Sequence, residues 1–406
     1  MQAIVTADKK PLYPFGLPLA EMHIHISLAL LPELFLRRIK QGRTTIKPEF
    51  LLKRDDRYYP TLSHHHAVYE QMRHITSTPS ELAQVTQDYL ERIAREGAIY
   101  AEISNSFRDP KNFEGQLDAL EESIRCARHN TGIEARIVVT TLRGPDQNGV
   151  SGPDRAETAA CYMAKHPREF VTGFGLVGDE GLDSFADYAR AFAIAFHEAG
   201  LGLAPHVAEQ FLHNAVDFLH TVPKEALNIK SDDHRRLRAG HATLIHTSTK
   251  LMDSFGMASV GIESLLSANN RINLPEETRK MRVGDVITSE SGRSVTVDRP
   301  LQKYFKNVAD HPLAHFRQRG LNVCLGSDNP LLQNTNIGKE YSLAVKAGLA
   351  TVEDLLDLTA NAIRFANVDN VTRLALMQKV ELYRAQLSAD KLPNQTAGGY
   401  RRSYTI

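Results

Sequence analysis

A chain of 406 residues has room for a large core, as one barrel-sized domain or two ordinary ones. Its 48 Lys and Arg balance 48 Asp and Glu, so no basic surface is implied and nucleic acid is not an expected partner. The three cysteines, Cys126, Cys161 and Cys324, are far apart in segments that read as buried, which argues against a disulfide scaffold and fits a reducing, cytoplasmic compartment. No stretch is long and apolar enough to span a bilayer, and Met1–Lys10 has no signal-peptide core, so no membrane partner is expected.

In chain order, Pro11–Gly16 is an irregular lead-in to an apolar run, Leu17–Ile26, that reads as the first strand. His23 and His25 flank one isoleucine near its end. Side chains at i and i+2 of a strand share a face, so both imidazoles project into one site. Residues about 27–79 form a long excursion with helix-like Pro32–Lys40, the charged run Lys53–Arg57 and the triplet His64–His66. Adjacent histidines diverge on any regular element, so the triplet reads as a solvated or lid-packing feature rather than a second metal site.

Further apolar runs follow at Gly97–Ser104, Ile133–Thr140, Val171–Leu176, Gly200–His206, Arg236–Ile245, Ser259–Ser264 and Leu321–Ser327. Between them Ser80–Arg95, Gln116–Arg128, Pro153–Lys165, Asp183–Ala199 and Ala208–His220 repeat apolar residues at three- and four-residue spacing, as helices do. A second excursion, about 271–300, alternates around Ser291-Gly292 as a β-hairpin would. Both excursions leave the same end of the sheet and are candidate lids or contacts between copies of the chain, so a homo-oligomer stays open. The charges of Arg271–Arg282 and Arg401-Arg402 are expected to face solvent or to meet a phosphate on a ligand.

Strands alternating with helices predict an α/β fold with a parallel sheet. Eight strand-like runs favour a (β/α)8 TIM barrel over a doubly wound open sheet. It would carry extra helices after strand one and a hairpin-like insertion before strand eight, with 1–406 as one domain. A barrel demands functional residues at the C-terminal ends of its strands. His23 and His25 close the first, His206-Val-Ala-Glu209 the fifth, Gly240-His241 the sixth and Ser327-Asp328 the eighth. Closure would set the last of these beside the first.

His23, His25, His206 and Asp328 make a set of three nitrogens and one oxygen suited to zinc, one ion per chain, with a position open for water. Zinc lowers the pKa of such a water from about 15.7 to about 7. Glu209, three residues past His206, is placed near the metal without needing to be a ligand. His241 ends the neighbouring strand, where it can accept a proton or stabilise developing charge.

At these residues the chain resembles the adenosine and AMP deaminase family of zinc aminohydrolases, over about residues 17–370. His23-Ile-His25 is similar to the family's first metal motif, His206-Val-Ala-Glu209 to its His-Ala-Gly-Glu, Ala239-Gly-His-Ala242 to its Gly-His-Gly, and Ser327-Asp-Asn-Pro330 to its Ser-Asp-Asp-Pro. Tyr100-Ala-Glu-Ile-Ser104, Leu176-Val-Gly-Asp-Glu180 and Asn361-Ala-Ile are further matches. The resemblance implies that His23, His25, His206 and Asp328 hold zinc and that Glu209 protonates the purine ring nitrogen beside the attacked carbon. It also implies that His241 orients or deprotonates the hydroxide, which Asp328 contacts, and that the Gly178 backbone meets the purine.

Departures fall on substrate positions. Ser27 stands where many adenosine deaminases carry the Asp that contacts the ribose 5′-hydroxyl, which implies a changed 5′ recognition. Asn329 stands where the family has the Asp that bonds a ring nitrogen; an amide still donates that bond. The expected activity is deamination of a 6-aminopurine nucleoside or related small molecule. A metal-dependent amide or lactone hydrolase on the same barrel and a non-catalytic nucleoside-binding protein are the alternatives. The first would use a bridging lysine that strand four, Val171–Leu176, does not offer. The second would need neither Glu209 nor His241.

Overall fold

A strand covered on both faces must be apolar throughout, and the apolar runs of the sequence become parallel strands for that reason. The computed structural model describes residues 16–391 apart from 45, 48–57, 77, 109, 231 and 302–306. The lead-in Pro11–Phe15, the run Lys53–Arg57 and Arg401-Arg402 lie outside the described residues. The strands are β1 (Leu19–His25), β2 (Ala98–Ser106), β3 (Glu134–Leu142), β4 (Val171–Val177), β5 (Gly202–Leu203), β6 (His206–Val207), β7 (Arg238–His241), β8 (Gly261–Ser264), β9 (Val286–Thr288), β10 (Ser294–Thr296) and β11 (Asn322–Leu325). All seven residues of β1 are buried.

β1 to β5 hydrogen-bond in order as one parallel sheet, and β6, β7, β8 and β11 form a second. The two sheets join at both edges. Leu203 bridges Leu237 just before β7, and Ile24 bridges Asp328 just after β11. There the His25 N–H donates to the Asp328 carbonyl at 2.8 Å, and the Asp328 N–H to that of His23 at 2.8 Å. The result is a closed α/β barrel of the TIM type, in which β5 and β6 share one position.

Several boundaries differ from the sequence reading, each for a local reason. The run Gly200–His206 is broken at Ala204-Pro205, since proline has no N–H for the ladder. The run Arg236–Ile245 stops being a strand at His241, where Ala242 turns left-handed (φ 50°) into the 3₁₀ turn Thr243–Thr247. Helix Ala208–His220 starts only at His213. Ala208 is left-handed (φ 50°), and the buried Glu180 carboxylate accepts the N–H groups of Glu209, Gln210 and Phe211, holding them as a turn. Gln116–Arg128 extends to Pro110–Thr131, and Asp183–Ala199 divides into a 3₁₀ turn, a short α-helix and a π turn. Pro79–Arg95 starts on a Thr78–Glu81 capping box with Pro79 in its first turn.

The first excursion carries helices Pro32–Lys40 and Leu62–Arg73. In the second, β9 and β10 pair antiparallel, and the Ser289 N–H donates to the Arg293 carbonyl at 2.8 Å. Val295 and Val297 are buried, and the Ser291 hydroxyl donates to Asp217 on helix His213–Thr221, so the hairpin is packed down rather than solvated all round. Cys324 is buried, whereas Cys126 and Cys161 are only half-buried, and all three are free thiols. No helix among the described residues is long and apolar enough to cross a membrane.

Candidate metal centre and its cavity

The closing bond between β1 and the β11 end brings His23, His25 and Asp328 together, with their candidate ligand atoms all within 4.8 Å of one another. His25 Nε2 lies 3.3 Å from Asp328 Oδ1 and His23 Nε2 lies 4.0 Å from it. His206, from β6, and His241, from β7, complete the cluster: the His23–His206 and His206–His241 ring centres are each 4.7 Å apart. His206 and His241 form a second compact trio with His23. The Nε2 atoms of His23, His206 and His241 are buried without a hydrogen-bond partner. Buried polar atoms are rarely left so, and several imidazole nitrogens converging with a carboxylate is the donor set of a zinc site. The residues present fit the metal.

Behind the cluster lies a layer of charge inside the barrel. His23 Nδ1 donates to Glu263 Oε2 at 2.6 Å, and this fixes the ring with its Nε2 lone pair turned to the cluster. Arg238, fully buried, donates from Nε to Glu263 Oε1 at 2.5 Å and from Nη2 to Glu102 Oε2 at 2.5 Å. Burial works against the Glu263 carboxylate, but the Arg238 charge and the His23 hydrogen bond outweigh it and hold its pKa below the usual range. Glu21, on the same strand as His23, accepts from Ser327 Oγ at 2.6 Å and Tyr89 Oη at 2.8 Å, fastening the loop that carries Asp328. The left-handed backbone of His241 (φ 62°) and Asp328 (φ 57°) is a costly conformation for such residues and is held here by these surroundings.

Burial, reinforced by the charges of Glu180 and Asp328, raises the Glu209 carboxyl well above the ordinary range, which favours its acid form. Its Oε2 lies 3.5 Å from His241 Nε2 and 3.7 Å from His206 Nδ1. Burial depresses both His206 and His241, the latter to about 3, so both imidazoles are neutral. Burial also opposes the Asp328 carboxylate, but His25 and the other imidazoles prevail and lower its pKa.

The cluster forms the floor of a cavity of about 370 Å³, an ordinary size for a small-molecule site. His25, His206, Glu209, His241, Asp328, Asn329 and Gly178 all line it. Gly178 has φ +105°, which favours glycine, and a Cβ there would crowd the Arg143 backbone nitrogen at 3.1 Å. Ser27 does not line the cavity; its hydroxyl bonds Tyr69 Oη at 2.9 Å, and Tyr69 does line it. Asn329 Nδ2 donates to Asp328 Oδ1 at 2.9 Å, which uses one of its two hydrogens.

The roof is one face of helix Leu62–Arg73: Leu62, His66, Tyr69, Glu70 and Arg73 line the cavity. His64 instead joins the helix cap through Thr61, and His65 is buried against Tyr59 and Gln333, so the three histidines diverge. No residue of 271–300 lines the cavity. The sequence reading gave no individual role in the site to Glu263, Arg238, Tyr69, Arg108 or Arg143. The first two carried a signal, an acid and an arginine inside apolar strands that must be paired to be buried. The others sit on loops and on a helix face whose direction no periodicity fixes.

The family model for adenosine deaminase matches residues 18–304 and 301–383. An adenine deaminase of Mesorhizobium japonicum is 29% identical over 369 residues, 89% of this chain and 97% of the relative. Among solved structures, an amidohydrolase of Burkholderia ambifaria with bound zinc superimposes with a TM-score of 0.68 at 20% identity, over 93% of this chain and 94% of that one. An N6-mAMP deaminase of Arabidopsis gives a TM-score of 0.67 at 16% identity, over 91% and 98%. These structures share the fold.

Proposed function

The chain belongs to the adenosine deaminase family, and on that footing we propose that it catalyses the zinc-dependent hydrolytic deamination of a 6-aminopurine. The observation that carries this reading is the convergence of His25, His206, His241, Asp328 and the raised acid Glu209 on the floor of one cavity, with His23 clustered beside them and Gly178 in the cavity wall. His23, His25, His206 and Asp328 would hold one zinc ion. Bound there, zinc would supply a hydroxide-like nucleophile at neutral pH.

The protein groups supply the rest. Gly178 and Asn329 hold the purine edge-on. Glu209 gives its proton to N1 as water oxygen adds to C6, His241 orients that oxygen, and Asp328 takes a proton from the water. The C6–N bond then breaks, with the Asp328 proton leaving on ammonia and the remaining water hydrogen restoring Glu209. The balance is one water consumed and one ammonia released. A binding protein would need neither the acid nor the base, which weighs against the non-catalytic alternative.

For the substituent opposite the amino group, the cavity favours a nucleoside or nucleotide. It extends past the floor to Arg73 and Arg108, which both pair with Glu70, at 2.5 and 2.7 Å, so that this trio carries one net positive charge. Ser27, turned to Tyr69, offers no acid to repel an anion. Free adenine is the second reading, and the name of the Mesorhizobium relative favours it. The single-domain organisation and a cytoplasmic location, suited to three free thiols, belong to the same proposal. Ammonia release from the zinc-loaded protein with adenine, adenosine, AMP and N6-methyl-AMP tests it. Turnover of any of these supports deamination, and the preferred member identifies the substituent. Silence across the panel would overturn it.

A further inference from the structure

The two trios that share His23 leave His241 geometrically eligible both as a metal ligand and as a base. A chain of hydrogen bonds behind it distinguishes these roles. At its far end the Leu313 backbone N–H donates to His311 Nδ1 at 3.1 Å. A backbone amide can only donate, so that nitrogen carries a lone pair. His311 is buried, and burial pushes its pKa down to about 3, so the ring is neutral and its one hydrogen sits on Nε2. Nε2 lies 3.4 Å from Asn269 Oδ1, the only type of atom on that amide able to accept.

This sets which way the Asn269 amide faces, the usual basis for assigning such a group. Its Nδ2 points to His241 Nδ1 at 3.0 Å. An amide nitrogen can only donate, so His241 Nδ1 must accept, and the neutral imidazole carries its hydrogen on Nε2. That is the nitrogen facing Glu209 and the cavity, with no partner of its own.

We propose that Asn269 and His311 are positioning residues whose relay locks His241 as the Nε2–H tautomer, so that it donates a hydrogen bond into the site and is neither a metal ligand nor a general base. His23 shows the opposite arrangement: the Glu263 carboxylate takes the Nδ1 hydrogen and leaves the Nε2 lone pair for the ion. Remote hydrogen bonds thus set His23 as a ligand and His241 as a donor. Within the deaminase reading, on which the catalytic half of the proposal rests, His241 steadies negative charge developing on the attacking oxygen, and Asp328 is left as the acceptor of the water proton.

The test is histidine tautomer assignment by ¹⁵N–¹H long-range correlation NMR on the full-length, zinc-loaded protein, with His241→Gln identifying the resonances. Wild type should show His241 protonated on Nε2 and unprotonated on Nδ1 at neutral pH. Asn269→Asp puts an acceptor behind Nδ1 and should move the hydrogen there or make the ring a cation, with kcat down about 10²-fold and KM little changed. His311→Gln keeps a donor toward Asn269 and an acceptor toward Leu313, and should keep both the tautomer and most of kcat. Wild-type His241 found protonated on Nδ1, or as a cation, would overturn the proposal, whether or not Asn269→Asp folds. If the tautomer is as stated but no aminopurine is deaminated, the relay stands and the functional reading fails instead.

Discussion

Glu209 owes its place to Glu180, whose carboxylate caps three successive amides and turns the chain so that the Glu209 side chain returns to the cluster. Replacing the acid by Gln keeps the volume and removes the proton, so Glu209→Gln should retain zinc and fold while kcat falls about 10²–10⁴-fold. His206→Ala should instead lose the metal, read by elemental analysis. Gly178→Ala would strain a backbone at φ +105° and press on Arg143; we expect raised KM and a lower melting temperature. At this scale the sequence was most legible for His23 and His25, because spacing on a strand fixes direction. It was least legible for Ser27, whose hydroxyl goes to a tyrosine 42 positions away, a contact that only the helix packing decides.

Among the elements, helix Leu62–Arg73 roofs the cavity with residues spaced three and four apart, while its opposite side stays exposed. The sequence marked the excursion as a candidate lid and left His64–His66 as solvated or lid-packing, without fixing which residues meet the cavity, because those histidines and the charges around them blur an apolar stripe. The hairpin was legible from its alternation, yet alternation says nothing about where a hairpin docks. Its buried Val295 and Val297 lie away from the cavity, so of the two excursions it is the helix that lines the cavity. Arg108→Ala removes one of the two guanidiniums that pair with Glu70 in the cavity wall. It should raise KM for a nucleotide about tenfold or more, the worth of one charge-assisted hydrogen bond, and leave KM for free adenine unchanged. Equal effects on both would remove Arg108 from substituent recognition.

For the whole molecule, barrel closure does the assembling: residues about three hundred positions apart meet because the β11 end pairs with β1. Closure was legible in the order of the runs, since the functional residues at the first and last strand ends make one site only if those strands are neighbours. The charged layer beneath was not, because pairing inside a barrel depends on register. Arg238→Met leaves Glu102 and Glu263 buried without their shared cation, and should cost about 3–5 kcal/mol in denaturant unfolding. Chelation should lower the melting temperature and added zinc restore it, since an ion held only by the folded state at a thousandfold its Kd contributes about 4 kcal/mol. The most direct measurement is the change in purine absorbance on deamination, followed for wild type and Glu209→Gln at matched zinc content. Zinc-dependent deamination with Glu209 as the acid requires conversion of a 6-aminopurine by wild type and its near loss in the variant. Equal conversion by both, or none by fully zinc-loaded wild type, would contradict it.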